Sequence, residues 1–362
     1  MKDNYCIIMA GGVGSRFWPM STPQQPKQFL DVLGIGKSLI QMTYERLLNI
    51  APKENIFVLT NTSYAALVKE QLPDLTMGQI LTEPLRKNTA PCIAYAAAKI
   101  MASNPNGTMI ISPSDHLIMK EDRFTTIINT AIQQAVSEDR LITLGIQPSR
   151  PDTGYGYIEF SAEKNLNPGD LTEVIQFREK PDLATAESFL ASGNFYWNSG
   201  IFVWKASAIL DALCAYQPAL HELFASDLSH YNTHSEQEKV NDCFQACEDI
   251  SIDFAVMEHA KNVDVVLADF DWSDLGTWGS LTTHLKKDAN NNAVAGEHAH
   301  LFNSKNCLVN VPSGKLVLLD GLENYIVVES DNMLMVLKAE NEQELKNYLK
   351  EVESKSPAFF DK

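Results

Sequence analysis

The sequence predicts an α/β fold with a mixed, mainly parallel sheet covered by helices on both faces, followed by a small all-β module. Two observations carry the first part. Short apolar runs bounded by turn residues, at residues 5–10, 56–60, 108–112 and 141–145, read as buried strands. The stretches between them, at 39–48, 62–72, 90–102 and 124–136, repeat apolar residues every three or four positions, as helices packed on a sheet do. That alternation is a βαβ series, which gives a buried parallel sheet with ligands beyond the carboxyl ends of its strands.

The third observation is a change of pattern. After Pro151 come strand-like pieces at 155–160, 173–179 and 200–205, read as antiparallel additions to the sheet. From residue 289 the composition shifts again: Asn290, Asn291 and Asn292 form a linker, and short apolar runs recur at 307–311, 315–319, 325–329 and 333–337. An amphipathic helix at 342–352 closes the chain. The expected division is a domain of residues 1–288 and a β module of residues 289–362.

Composition narrows the partners. With 46 Asp and Glu against 29 Lys and Arg, the formal charge is -17, which repels phosphate polymers and anionic lipid and excludes nucleic acid and membrane surfaces as expected partners. An anionic small substrate then requires a local cluster of cations. No apolar run approaches the roughly 18 residues of a membrane span, and the first run is too short for a signal peptide, so a cytoplasmic protein is expected. Cys6, Cys92, Cys214, Cys243, Cys247 and Cys307 are scattered and read as reduced thiols.

The first strand runs straight into Ala10, Gly11, Gly12, Val13, Gly14, Ser15 and Arg16. Bare backbone amides can close on phosphate oxygens there while Arg16 neutralises their charge. A plain glycine turn would look similar. A dinucleotide fingerprint would need a third glycine, and Trp18-Pro19 follows instead; a P-loop would need Gly-Lys-Ser/Thr, which is missing. Lys27, in Pro26-Lys27-Gln28-Phe29, offers an ammonium on extended backbone.

Residues 11–29, GGVGSRFWPMSTPQQPKQF, resemble the signature of the sugar nucleotidyltransferases, specifically the mannose-1-phosphate guanylyltransferase branch. Six further segments follow in the family's order: EPLRKNTAP from Glu83, PSDHLI from Pro113, RPDTGYGYIE from Arg150, REKPD from Arg178, YWNSGIFVW from Tyr196 and DWSDLGTW from Asp271. The resemblance implies a Rossmann-like, glycosyltransferase-A-like sheet and a left-handed β-helix-like tail, without the isomerase cupin domain of longer relatives. It implies transfer of GMP from GTP to mannose 1-phosphate, with Mg²⁺. Lys87 stands where arginine is common and Phe17 where leucine is common; both keep the charge or the apolar character.

By that resemblance Arg16, Lys27, Asp115, Lys180 and Asp274 are catalytic. Asp115 and Asp274, two loop carboxylates from distant segments, are an oxygen site for Mg²⁺, with phosphates and water as further ligands; separately they would read as a turn residue and a helix cap. His116 reads as structural. Ala10, Gly11, Gly12, Gly14, Ser15, Glu83, Asn88 and Thr89 are assigned to the nucleotide. Glu83 can accept both guanine N1–H and N2–H, which favours GTP, and Asn88 and Thr89 open a helix beside it. Gly154, Tyr155, Glu179, Lys180 and Asn198 are assigned to the sugar phosphate, with Gly156 allowing close approach. Glu179 and Lys180 are expected on opposite sides of a strand end. A homodimer through the β module is expected. Another sugar 1-phosphate such as a heptose, or a silent regulator binding a nucleotide sugar, are the alternatives.

Overall fold

The computed structural model describes residues 1–161 and 166–360. Among them nine strands form one sheet: β1 (Asn4–Met9), β2 (Ile56–Asn61), β3 (Ile80–Glu83), β4 (Thr108–Pro113), β5 (Leu141–Ile146), β6 (Tyr157–Phe160), β7 (Leu171–Arg178), β8 (Phe195–Lys205) and β9 (Val263–Ala268), in the order β3-β2-β1-β4-β8-β5-β9-β7-β6. β1 pairs in parallel with β2 and β4, and β9 with β5. β8 runs antiparallel to β4, β5 and β6. The mixed sheet expected from the sequence is therefore present. Its central strands are apolar on both faces: Cys6, Ile7 and Ile8 are fully buried, as strands with helices above and below must be.

Helix α1 (Thr89–Ser103) buries nearly every residue from Ala90 to Ile100, and α2 (Glu121–Glu138) buries Phe124, Ile127, Ile128, Ala131 and Ala135, one face at helical spacing. Two strands of this sheet were not foreseen. β3 is a four-residue edge strand, and β9 carries Asp264 within an otherwise apolar run. Asp264 is tolerated there because Arg140 binds its two carboxylate oxygens, through Nε at 2.8 Å and through a shorter contact from the second guanidinium nitrogen. β8 also begins five residues before the expected 200–205, so Trp197-Asn198-Ser199-Gly200 lies inside a strand. Its register against β5 slips between Thr143 and Gly145, and Gly200 has φ +69° in the slipped segment, a conformation that favours glycine.

The C-terminal strands are β10 (Ala293–Ala295), β11 (His298–Phe302), β12 (Leu308–Asn310), β13 (Leu316–Asp320), β14 (Tyr325–Ser330) and β15 (Met333–Lys338). They form a four-stranded sheet β10-β12-β14-β15 and a pair β11-β13. Ala293 pairs in parallel with Leu308, Leu308 with Ile326, and His298 with Leu316, so successive strands stack in register at near-regular sequence offsets. Cys307, Val309, Val311 and Val327 fill the space they enclose.

Contacts divide the chain into two compact units that interleave along the sequence. One contains Met1–Gly11, Thr43–Ser114 and Ile118–Trp272; the other contains Gly12–Met42, Asp115–Leu117 and Ser273–Lys362. This differs from the expected division at residue 288. The reason is packing within the second unit, where Phe17, Leu30, Val32 and Leu39 share one apolar core with Trp278, Ile326, Val328 and Leu345. The segment after the first strand therefore belongs with the tail.

Candidate active site

In the second unit the glycine loop and four later segments surround a cavity of about 220 Å³, lined by Arg16, Lys27, Asp115, His116 and Asp274 among others. Lys27 is buried in its wall. Its Nζ lies 2.8 Å from Asp115 Oδ2 and donates to the main-chain oxygens of Asp274 (2.7 Å) and Leu275 (3.0 Å). Burial pushes the Asp115 carboxyl up, but Lys27 and His116 outweigh it and hold the pKa below the ordinary value, so Asp115 is ionised. Asp274 Oδ1 accepts from the Gly276 amide at 2.9 Å, which fixes its loop. Arg16 Nε is buried with no hydrogen-bond partner, a donor that an incoming anion would satisfy.

Gly14 has a more specific task than offering a bare amide. Its φ is +71°, and a Cβ there would lie 2.4 Å from Lys27 Cβ. The glycine lets the lysine pass. Gln28 Nε2 and Ser21 Oγ hold the Gly12 and Gly14 carbonyls at 2.9 and 2.6 Å, so both carbonyls are tied back by side chains. Ser15 opens the short 3₁₀ turn carrying Arg16.

Among the described residues no three His, Cys, Asp or Glu converge as a complete ligand set. Asp115 and Asp274, both lining the cavity, are hard oxygen donors of the kind a divalent ion shares with phosphate and water, and the unpaired Arg16 donor suits the phosphate.

In the first unit Glu83 ends β3 and is 3 % exposed. Its Oε2 accepts from the Cys92 thiol at 3.2 Å, and Oε1 faces Gly11, where a Cβ would come within 3.1 Å. Burial raises the Glu83 carboxyl above its ordinary pKa, against the Cys92 hydrogen bond and the Arg86 charge, which lower it. Asn88 caps α1, its Oδ1 accepting from the Thr89 amide at 3.0 Å, and Thr89 Oγ1 accepts from the Ile252 amide at 2.8 Å. Both side chains thus do structural work in this state. Ala10 donates its amide to Leu59 O at 2.8 Å, so that amide belongs to the sheet, and amides able to meet a phosphate begin after it.

The residues assigned to the sugar also meet in this unit. Glu179 and Lys180 do not lie on opposite sides of a strand. β7 stops at Arg178, Lys180 takes φ +46°, and its Nζ meets Glu179 Oε1 at 2.6 Å. Strand alternation fails because the strand has already ended. A Cβ on Gly156 would lie 2.4 Å from Glu179 Oε2, so that glycine makes room for the carboxylate. Gly154 donates its amide to Asp152 Oδ1 at 2.8 Å. Tyr155 packs edge-on against Trp197 and Trp272, forming an aromatic wall. Asn198 Nδ2 donates to Asp253 Oδ1 at 2.7 Å, while its Oδ1 accepts from Thr143 and the Gly200 amide. Burial, then the Glu179 charge, pushes Asp253 up to about 6.

A model of the nucleotidyl transferase family matches residues 5–291. The chain belongs to that family. It is 38% identical over 343 residues to a mannose-1-phosphate guanylyltransferase of Klebsiella pneumoniae and equally to one of Escherichia coli, covering 94% of this chain and 72% of each relative. A crystal structure described as mannose-1-phosphate geranyltransferase from Thermus thermophilus superposes with a TM-score of 0.84 at 27% identity, over 97% of this chain and 99% of that one.

Two residues of this nucleotidyltransferase escaped the sequence reading. Asp253 stands on a one-turn π-helical segment (Asp253–Met257) with no glycine or proline to mark it; Asn198 donates to it, and its carboxyl feels the Glu179 charge. Lys346, on helix α3 (Leu345–Lys355), lines the cavity that holds Arg16 and Lys27.

Proposed function

We propose that this nucleotidyltransferase transfers GMP from GTP to mannose 1-phosphate, giving GDP-mannose and pyrophosphate. The observation that carries the reading is the convergence of Arg16, Lys27, Asp115 and Asp274, far apart in sequence, on one cavity. The 38% identity to mannose-1-phosphate guanylyltransferases, over 94% of this chain, supports the choice of base and sugar.

A non-bridging oxygen of the sugar phosphate attacks the α-phosphorus in line, the bond to the β-phosphate oxygen breaks, and pyrophosphate leaves with its electron pair. Mg²⁺ held by Asp115 and Asp274 would neutralise phosphate charge. Arg16 binds the triphosphate through the donor the fold leaves unsatisfied. Lys27 keeps Asp115 ionised and adds an ammonium beside the phosphates. Glu83 reads guanine, and Gly11 lets the base approach its Oε1. Lys180 takes the sugar phosphate by exchanging Glu179 for it, which frees Glu179 for sugar hydroxyls alongside Asp253.

The test is pyrophosphate release over four nucleoside triphosphates and several sugar 1-phosphates. GTP with mannose 1-phosphate should give the highest kcat/KM. A heptose 1-phosphate preferred over mannose 1-phosphate would replace the sugar, and binding without release under every pairing would make the chain a regulator.

The reading extends to a cytoplasmic enzyme; among the described residues no helix is long and apolar enough to cross a membrane. It extends to a left-handed coil for the parallel C-terminal ladders, and to a homodimer. Phe302, Leu316 and Leu318 are 53%, 78% and 67% exposed on the paired strands β11 and β13, an apolar face a second copy could cover. Leu318→Glu should halve the mass seen in sedimentation; an unchanged mass rejects this interface.

A further inference from the structure

We propose that Lys346, on the C-terminal helix, binds the β- and γ-phosphates of the nucleotide and steadies pyrophosphate as it leaves. The inference rests on the nucleotidyltransferase reading and adds a residue outside the segments that carry its signature.

Charge sets the first requirement. The chain carries -17, so a site for a triphosphate has to be positive locally. Three cationic side chains line the cavity, Arg16, Lys27 and Lys346, against the two carboxylates Asp115 and Asp274. Lys27 is committed to Asp115 at 2.8 Å. Without Lys346 the lining side chains sum to neutral; with it they are net positive before any metal binds. Lys346 is exposed and, among the described residues, forms no ion pair, so its ammonium is available.

The neighbouring acids on the same stretch are turned elsewhere. Glu342 Oε2 accepts from the Gly279 amide at 2.8 Å, and Glu344 accepts from Asn347 at 2.8 Å. The helix is also anchored: Leu345 is buried in the core containing Phe17 and Trp278, one residue before the lysine. Phe360 stacks on Trp18 at 6.3 Å, two residues after Arg16, tying the end of the chain to the loop. An exposed lysine following a buried leucine is thereby held over the cavity, and an ammonium acts on phosphate as a point charge without strict orientation.

The test is titration calorimetry with GTP, inorganic pyrophosphate and GMP, each with Mg²⁺, on wild type and on Lys346→Ala, Lys346→Glu and Lys346→Arg. Lys346→Ala should weaken GTP and pyrophosphate about tenfold, as expected for loss of one charge-assisted contact. Lys346→Glu should weaken them further, and Lys346→Arg should stay within about threefold of wild type. GMP, which lacks the outer phosphates, should bind all variants alike. Lys350→Ala, on the same helix but not lining the cavity, should match wild type throughout. Pyrophosphate binding by Lys346→Ala within twofold of wild type overturns the proposal, as does an equal loss for GMP, which would mean a structural effect. Should wild type bind pyrophosphate in a Lys346-dependent way yet turn over no sugar 1-phosphate, the assignment of Lys346 stands and the proposed reaction fails.

Discussion

Replacing Glu83 by glutamine tests how the base is chosen. The carboxylate is buried and flanked: Oε2 takes the Cys92 thiol at 3.2 Å, and Oε1 faces the space beside Gly11. Ionised, it can accept from guanine N1–H and N2–H together. Glutamine keeps one acceptor and turns the other into a donor, which must face either a guanine N–H or the thiol. Losing one charged hydrogen bond costs about 1.5 to 3 kcal/mol, and a buried donor facing a donor adds to it, so kcat/KM for GTP should fall by about 2 to 4 kcal/mol, roughly thirtyfold to several-hundredfold. ITP lacks the N2 amino group, so the remaining acceptor can serve its N1–H and the loss should stay under about tenfold. Initial rates of pyrophosphate release with both nucleotides, in wild type and variant, form a double-mutant cycle on one contact. The raised pKa supplies a second readout. As pH falls, wild-type Glu83 takes up a proton and comes to resemble glutamine, so its preference for GTP over ITP should narrow, while the variant's preference stays flat. Equal losses for GTP and ITP would refute the reasoning and leave the base to be read by other groups.

Asp115→Asn or Asp274→Asn should lower kcat at least about a hundredfold with the fold unchanged by circular dichroism, because each removes charge from the metal site at constant size; near-normal kcat at saturating Mg²⁺ would reject the assignment. Lys180→Ala should raise KM for the sugar 1-phosphate more than for GTP, and Lys27→Ala should act mainly on GTP; identical effects on both substrates would erase the distinction. Asp253, raised to about 6, favours the folded state in its protonated form, so its contribution is present below its unfolded value near 3.8 and is lost as pH rises through about 6. Asp253→Asn should therefore raise thermal stability at pH 8 by up to about 3 kcal/mol relative to wild type, with the gap closing below about pH 4, while weakening the sugar substrate; a variant less stable than wild type at pH 8 contradicts the burial argument.

The elements that were legible in the sequence are those where one local pattern decides the outcome. β1, β2, β4 and β5 are apolar runs fully flanked by turn residues, and α1 and α2 keep helical spacing. Lys27, Asp115 and Asp274, each singled out within a signature segment, line one cavity. What was illegible depends on partners distant in sequence. β9 hides behind Asp264, which only Arg140 makes tolerable in a buried strand. Glu179 and Lys180 face one another because β7 ends a residue earlier than strand alternation assumed. The partners that hold the Asn198 amide, Asp253, Thr143 and Gly200, are a set no spacing rule would collect.

The core shared by Phe17, Leu30, Val32, Ile326 and Leu345 has a consequence for recombining this chain with its relatives. A chimaera joined near residue 288 would exchange the tail while keeping the foreign loop that packs on it, so half of one jigsaw would meet half of another. Crossovers that carry residues 12–42, 115–117 and 273–362 together keep that core intact and should yield folded hybrids far more often. The same coupling means that substitutions at Leu345 and at Phe17 are not independent, and a library varying both should show pairs tolerated only in combination.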